Sequence, residues 1–507
     1  MKIARLRYIP NVLTLMREHR WFFLGSTFAA LALRLFFFFH FPAITDDSHI
    51  YANLATNWLQ HGVYGQTPGG QPDKPIVPTD TRLPGYPAFL AGIFWLFGAG
   101  NFKAVMLTQI LADLGTCLIV ADLARRTVSE RAARSAFVLA ALCPFLANYA
   151  AAVLTETLEI FFTALALDCA AAALNRVDEG RAEPKLWAAT GAAIAGCILL
   201  RPDGGILLVA VVLYLAVAAH KGVPGFEARE ASLKRSPDTK PQFFRSAVTA
   251  GIIVAFFALA PLAPWTIRNF RTLHQFQPLA PRYANETDEL VPRGFNRWVK
   301  TWIADYASVE EIYWNVPGDK IDPGKLPSRA IDGPAEDNSA QRVETLAVIA
   351  DYNQSQDMTP ELDARFGNLA ADRIRAHPVR YYVVLPLLRV ADMWLRPRTE
   401  ILPPDVRWWE FHDDTKQSVT AVGLGLLNLV YVVGALLALI LGHARRPSGI
   451  RWAGLLISFL LLRSAFLGTL ENPEPRYTLE CYPVVILFTS RVLADLRRVR
   501  RPAYKIS

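Results

Sequence analysis

Charge is scarce in this chain. Of 507 residues only 19% are Asp, Glu, Lys or Arg, while 52% are hydrophobic, a balance that excludes an ordinary soluble protein of this size. Cysteine is scarcer still. Cys117, Cys143, Cys169, Cys197 and Cys481 form no CxxC spacing and no disulfide ladder. The first four lie in apolar segments and read as small core residues. No HExxH, no dense His/Asp cluster and no glycine-rich phosphate loop occurs, so nothing indicates a metal centre or a nucleotide cradle. No internal repeat of about 20–50 residues is visible. The net charge of +8 sits between apolar runs and not along one face of a soluble module, which excludes a nucleic-acid partner.

What the chain has in abundance is long hydrophobic runs. Windows at 21–41, 104–123, 135–153, 157–174, 246–266, 419–441, 451–469 and 479–495 reach the roughly 17–25 residues that a membrane span needs. Two shorter ones, 187–201 and 204–220, flank the polar break RPDGG. The N-terminus, MKIARLRYIPNVLTLMREHR, is basic and leads into a full-length span without a small-residue cleavage site. It reads as a retained first span.

Loop charge then sets orientation. Arg5, Arg7, Arg17 and Arg20 place the N-terminus inside and residues 42–83 outside. The basic loop DLARRTVSERAAR (122–134) belongs inside, so PGYPAFLAGIFWLFG (84–98) and 104–123 cannot both cross. The shorter, Pro- and Gly-bearing run is expected to be re-entrant or interfacial. TET (155–157), RPDG (201–204) and PWTIRN (264–269) then emerge outside. The expected fold class is an all-α polytopic membrane bundle of about 10–12 spans, with outer-face juxtamembrane helices and a mixed outer-face domain. Three regions are expected. Residues 1–266 form a seven-crossing catalytic module whose first outer loop is 42–103. Residues 267–378 form an outer, periplasmic domain with Trp298, Trp302 and Trp314 at the membrane interface. Residues 379–507 supply C-terminal spans, with 379–395 ambiguous between span and interface.

The stretch TDDSHIYANLATNWLQHGVYG (45–65) follows the first span. Ile50, Leu54, Ala55, Trp58 and Leu59 recur at helical spacing, with His49, Asn53, Asn57 and Gln60 opposite, so a short amphipathic helix ended by Gly62 is expected. Asp46 and Asp47 stand at its start. One of them can be an N-cap, where a carboxylate is favoured by free N–H groups and the helix dipole. A second acid beside it has no such explanation. Arg82, Arg201, Arg268 and Arg476 lie on the same outer side. Any one can be a snorkelling anchor, and Arg201 can pair locally with Asp203. Together with the acids they point to a charged cavity at the outer interface. Arginine matches phosphate geometry, and a carboxylate can act as base toward a hydroxyl.

DSHIYANLATNWLQHGVYG, RLPGYPAFLAGIFWLFG, the TE of VLTETLEIFF, RPDG, PWTIRN and RYTLECYP occur in the order found in GT-C superfamily glycosyltransferases. The chain resembles the group related to protein O-mannosyltransferases and the lipid A aminoarabinose transferase. The resemblance implies a polyprenyl-phosphate-sugar donor, an acceptor hydroxyl on a lipid, glycan or protein, and inverting transfer of a hexose or pentose at the outer face of a bacterial inner membrane. It implies Asp47, four residues before Tyr51, as base, with Asp46 an extra neighbour, since relatives often carry Glu where this chain has Ser48. It implies Arg82 and Arg268 on the lipid phosphate, with Tyr51, Glu156, Arg201 and Arg476 among substrate-binding positions. No cofactor is required, and a divalent metal is allowed but not indicated. The alternatives are a transporter or flippase for a lipid-linked or anionic substrate, and a non-catalytic scaffold. The acids sit in an outer loop helix instead of mid-span, which counts against transport.

Overall fold

A computed structural model describes residues 12–70, 74–179, 181, 183–221, 239–283, 290–332, 339–412, 414–444 and 450–499. Arg5 and Arg7, used above for orientation, fall outside these. The described chain is overwhelmingly helical, as an apolar sequence in lipid must be, because a helix satisfies its own backbone polar groups. Five helices are long and apolar enough to cross a membrane: Arg20–His40, Phe102–Thr127, Glu156–Asp178, Pro202–His220 and Thr415–Leu441. Two bent pairs bring the total to as many as seven, Glu130–Ala141 with Pro144–Ala150 at 52° and Ser246–Leu259 with Leu262–Leu273 at 41°. Pro184–Leu200 and Ala453–Gly468 are apolar but shorter, and Tyr482–Val499 is the last helix described. Residues 379–395 form Arg380–Val384 and Leu385–Leu395, neither of which is among the spanning helices.

The run 84–98 forms one helix, Gly85–Phe97. Its 13 residues reach about 20 Å at 1.5 Å each, short of a hydrocarbon core of about 30 Å. Gly85 is required where this helix approaches Pro184–Leu200, because a Cβ there would lie 2.5 Å from the Leu199 carbonyl oxygen.

Contacts divide the chain into two compact units. The first holds residues 1–280, 431–459 and 480–507. One buried ion pair organises its interior. Arg34 Nε lies 2.7 Å from Asp113 Oδ2, and neither side chain reaches solvent. The same guanidinium donates to the carbonyls of Ala30 and Ala140, each at 3.1 Å, and of Ala141. Ala140 and Ala141 end helix Glu130–Ala141, and Pro144 opens the next. Proline brings no N–H to continue the ladder, so Arg34 takes the carbonyls that the break releases. The helix Asp46–His61 buries Tyr51, Ala52 and Ala55 against Tyr86, Leu90 and Phe94 of Gly85–Phe97. Each fully buried side chain of this size stabilises by about 1.5–3 kcal/mol.

The second unit holds residues 281–430 and 460–479. Trp298 and Trp302 are fully buried here, which corrects the expectation that they sit at a membrane interface. They are four apart, so they fall on one face of the helical turn and meet edge to face at 5.4 Å, with Phe366 5.0 Å from Trp298. An amphipathic ring seeks either a boundary or a core, and here the core has it. Trp314 remains exposed. Among the described residues this unit contains no strand. A two-stranded sheet pairs Gly65–Gln66 with Val77–Pro78 in the first unit.

Candidate functional site

The helix Asp46–His61 is capped by Thr45, not by either aspartate. The Thr45 N–H donates to Ser48 Oγ at 2.9 Å, closing a capping box. Ser48, fully buried, also donates to the Val153 carbonyl at 2.8 Å. Beside it Ala43 bridges to Ala152, with Ala43 N–H on the Ala151 carbonyl and Val153 N–H on the Ala43 carbonyl, both at 3.0 Å. The start of the helix is thus stitched to the loop that delivers Glu156. Its far end turns at Gly62, whose φ of 69° is the left-handed conformation glycine adopts at helix C-termini.

With capping assigned to Thr45 and Ser48, both carboxylates are released from that duty. Asp47 is half-buried and pairs with Arg82, its Oδ1 2.9 Å from Nη2. Asp46 is exposed and has no hydrogen bond or ion pair among the described residues. The Arg82 guanidinium lies 5.9 Å from the Tyr51 ring centre. Burial opposes its charge, yet Tyr51 and Asp47 together hold its pKa above the ordinary value. Burial, reinforced by Asp47 and Glu156, drives the Tyr51 hydroxyl up, while Arg82 and Arg201 pull it down. One phenol therefore feels Asp47, Arg82, Glu156 and Arg201. The structure brings these four expected residues together around a fifth.

Arg201 ends helix Pro184–Leu200 and faces three acids, Asp203 at 3.5 Å, Glu159 at 3.7 Å and Glu156 at 3.8 Å. Its partner is thus a local turn acid and a long-range pair at once. Glu159 was missed in the sequence. It stands three residues beyond Glu156 on the same helix, a spacing that puts both on one helix face.

Arg268 is placed differently. Its Nη1 donates to the Thr79 carbonyl at 2.8 Å and to Asn269 Oδ1 at 2.9 Å, and Nη2 donates to the Tyr64 carbonyl. The guanidinium stacks 5.3 Å from both the Tyr64 and Trp265 rings. Tyr64 Oη in turn donates to the Arg82 carbonyl at 2.9 Å. Arg268 thus supports the backbone that carries Arg82. Tyr64, Tyr86 and Gln109 also escaped the sequence reading. Tyr86 Oη donates to Gln109 Oε1 at 2.7 Å, and Gln109 Nε2 donates to the Ala152 carbonyl at 2.5 Å, which fixes the same loop that Ser48 holds. Arg476 belongs to the second unit, where its Nε pairs with Glu474 at 2.5 Å. Among the described residues no group of three or more His, Cys, Asp and Glu is arranged to hold a metal ion.

These features define a multi-pass helical membrane protein with a cluster of paired acids and arginines built on a loop helix. Residues 73–223, which carry Arg82, Glu156 and Arg201, match the family described as dolichyl-phosphate-mannose-protein mannosyltransferase. The resemblance to polyprenyl-phosphate-sugar glycosyltransferases read from the sequence is borne out over that segment. No curated protein matches. Among solved structures, the archaeal oligosaccharyltransferase AglB from Archaeoglobus fulgidus, in complex with an inhibitory peptide and a dolichol-phosphate, is 13% identical at a TM-score of 0.49. That alignment covers 97% of this chain and 53% of that one. ArnT from Cupriavidus metallidurans in the apo state is 14% identical at a TM-score of 0.35, covering 94% and 78% respectively. The chain therefore spans about half the length of the archaeal enzyme it matches.

Proposed function

We propose that this protein is an inverting membrane glycosyltransferase that moves a sugar from a polyprenyl-phosphate donor to an acceptor hydroxyl at the outer face. The observation that carries the proposal is the Asp47–Arg82 pair at 2.9 Å, set against Tyr51 with Arg201 and Glu156 around it. An acid and a phosphate-matching cation lie side by side, both partly exposed, which is the combination this chemistry needs.

In the reaction, the acceptor oxygen attacks the anomeric carbon as Asp47 takes its proton. The bond from that carbon to the phosphate oxygen breaks, and the lipid monophosphate leaves with its developing charge on Arg82. A single displacement inverts the anomeric centre. Glu156, Glu159 and Arg201 line the sugar side, where carboxylates and a guanidinium accept and donate to hydroxyls. Arg268 acts through Tyr64 on the Arg82 backbone. Residues 1–266 form the catalytic module, 267–378 the outer domain and 379–507 the closing helices, in a bacterial inner membrane.

The test is transfer by the purified protein in lipid discs, offered radiolabelled undecaprenyl-phosphate sugars with hydroxyl acceptors, beside Asp47→Asn. Transfer by wild type that vanishes in the variant, with lipid-phosphate binding retained, supports the proposal. Vectorial movement of the labelled lipid without sugar transfer, unchanged in the variant, would replace it with a flippase.

A further inference from the structure

We propose that the second unit carries a saccharide-binding pocket selective for an acidic sugar. A cavity of about 380 Å³ is lined by Asp305, Glu311, Lys325, Arg329, Arg407 and Trp409, among others. That volume lies near the lower end of the roughly 300–1,000 Å³ typical of small-molecule sites, room for one or two sugar rings. Charged side chains share the wall with Ile312, Leu326 and Pro327, a mixture that suits a ligand carrying both hydroxyls and C–H faces.

Three features of the wall match such a ligand. Trp409 is 46% exposed, yet it is held on a constrained turn. The Arg396 guanidinium stacks 5.6 Å from its ring and Arg396 also holds the Val406 carbonyl, while the Glu410 N–H donates to the Arg407 carbonyl at 2.9 Å. A fixed, exposed indole offers an apolar face with little ordering cost, which the C–H face of a pyranose fills.

The two acids are also fixed before any ligand arrives. Glu311 takes a two-pronged contact from Arg407, at 2.5 and 2.7 Å. Asp305 pairs with Arg329 at 2.5 Å and accepts from Ser308 N–H and Oγ at 3.0 and 2.9 Å. Acid–guanidinium forks of this kind present acceptors and donors side by side, the pattern that vicinal hydroxyls satisfy. Finally, Lys325 is exposed and has no carboxylate partner among the described residues. Arg407 is shared with Glu410, outside the lining, at 3.3 Å, so the selective element is Lys325 itself, the lining cation that no carboxylate pairs among the described residues. A sugar carboxylate answers it.

As a saccharide site the pocket stands alone; as a place for the acceptor it rests on the transferase reading above. The experiment is ligand-observed NMR titration of the full-length protein in lipid discs. The probes are methyl β-D-glucuronide and methyl β-D-glucoside, which differ only in the carboxylate, with an acidic tetrapeptide as competitor. Wild type should bind both sugars and favour the glucuronide. Trp409→Ala should weaken both about tenfold or more, and Trp409→Phe, which keeps an aromatic face, should recover most of the loss. Lys325→Gln should abolish the preference and leave glucoside binding unchanged. Absence of sugar binding to wild type, equal binding by Trp409→Ala, or displacement by the peptide with no sugar contact would each overturn the proposal. Undecaprenyl-phosphate binding, measured on the same samples, should be unmoved by these variants. Its failure in wild type would count against the transferase and leave the sugar titration to be read by itself.

Discussion

Replacing Asp47 by Asn should abolish transfer and, at the same time, tighten binding of the lipid phosphate. Asp47 and Arg82 are 2.9 Å apart, so a phosphate that settles on Arg82 also settles beside a carboxylate. Taking like charges about 6 Å apart, repulsion is about 0.7 kcal/mol at the dielectric of water and about 2.8 kcal/mol at an effective dielectric of 20. The side chains retain 20% and 33% of their exposure, which favours the weaker end. Neutralising Asp47 should therefore strengthen binding about 3- to 10-fold. Loss of a general base costs roughly 10²- to 10⁴-fold in rate. Arg82→Ala should do something else. It removes the phosphate partner and leaves Asp47 half-buried and unpaired, so binding and turnover should fall together, with about 2.7–4 kcal/mol lost from the transition state. Equilibrium binding of fluorescent undecaprenyl phosphate and single-turnover transfer, measured on wild type and both variants, separate these outcomes. If Asp47→Asn weakens lipid-phosphate binding as Arg82→Ala does, the pair serves only to hold the loop and the reasoning fails.

Asp46→Ala should leave thermal stability within about 0.5 kcal/mol, as exposed positions usually do, and transfer within a few-fold; a loss matching Asp47→Asn would give the proton to both acids. Ser48→Ala should cost about 1–2 kcal/mol of stability through the cap and the Val153 bond, whereas Ser48→Glu should cost more by forcing a charge into a fully buried site; thermal melts rank the two. Asp392, half-buried and raised by desolvation to about 6 against an ordinary 3.8, binds a proton more readily when folded. Its contribution is therefore fully present below pH about 4 and is lost as pH rises through about 6. Asp392→Asn should flatten that part of the stability profile, and melts at pH 4, 5, 6 and 7 will show whether it does.

Much of this was legible before any coordinates. Apolar runs and loop charge are dense local signals, and they gave the helices and the amphipathic segment ended by Gly62. Asp47 and Arg82 could be named as candidate site residues, but a separation of 35 positions carries no periodicity that makes them a pair. The same is true of Arg201 with Glu156 and Glu159, brought together by helix packing. The two capping candidates beside Thr45 were plausible because aspartate is a good cap; the choice fell to Thr45 and Ser48 because Ser48 also faces the Val153 carbonyl, a tertiary fact. Tryptophan misled for a related reason. Its affinity for boundaries and its affinity for cores have the same sequence signature, and only Phe366 decides between them.

The Arg34–Asp113 pair has a consequence for descent. Loss of either partner strands a charge among helices with no water to receive it, and loss of the arginine also bares the carbonyls at the Pro144 break. Single steps away from this arrangement are therefore closed, and the paths that remain change both positions together with the proline. In a lineage that drifts to low identity elsewhere, these three positions should move as one character.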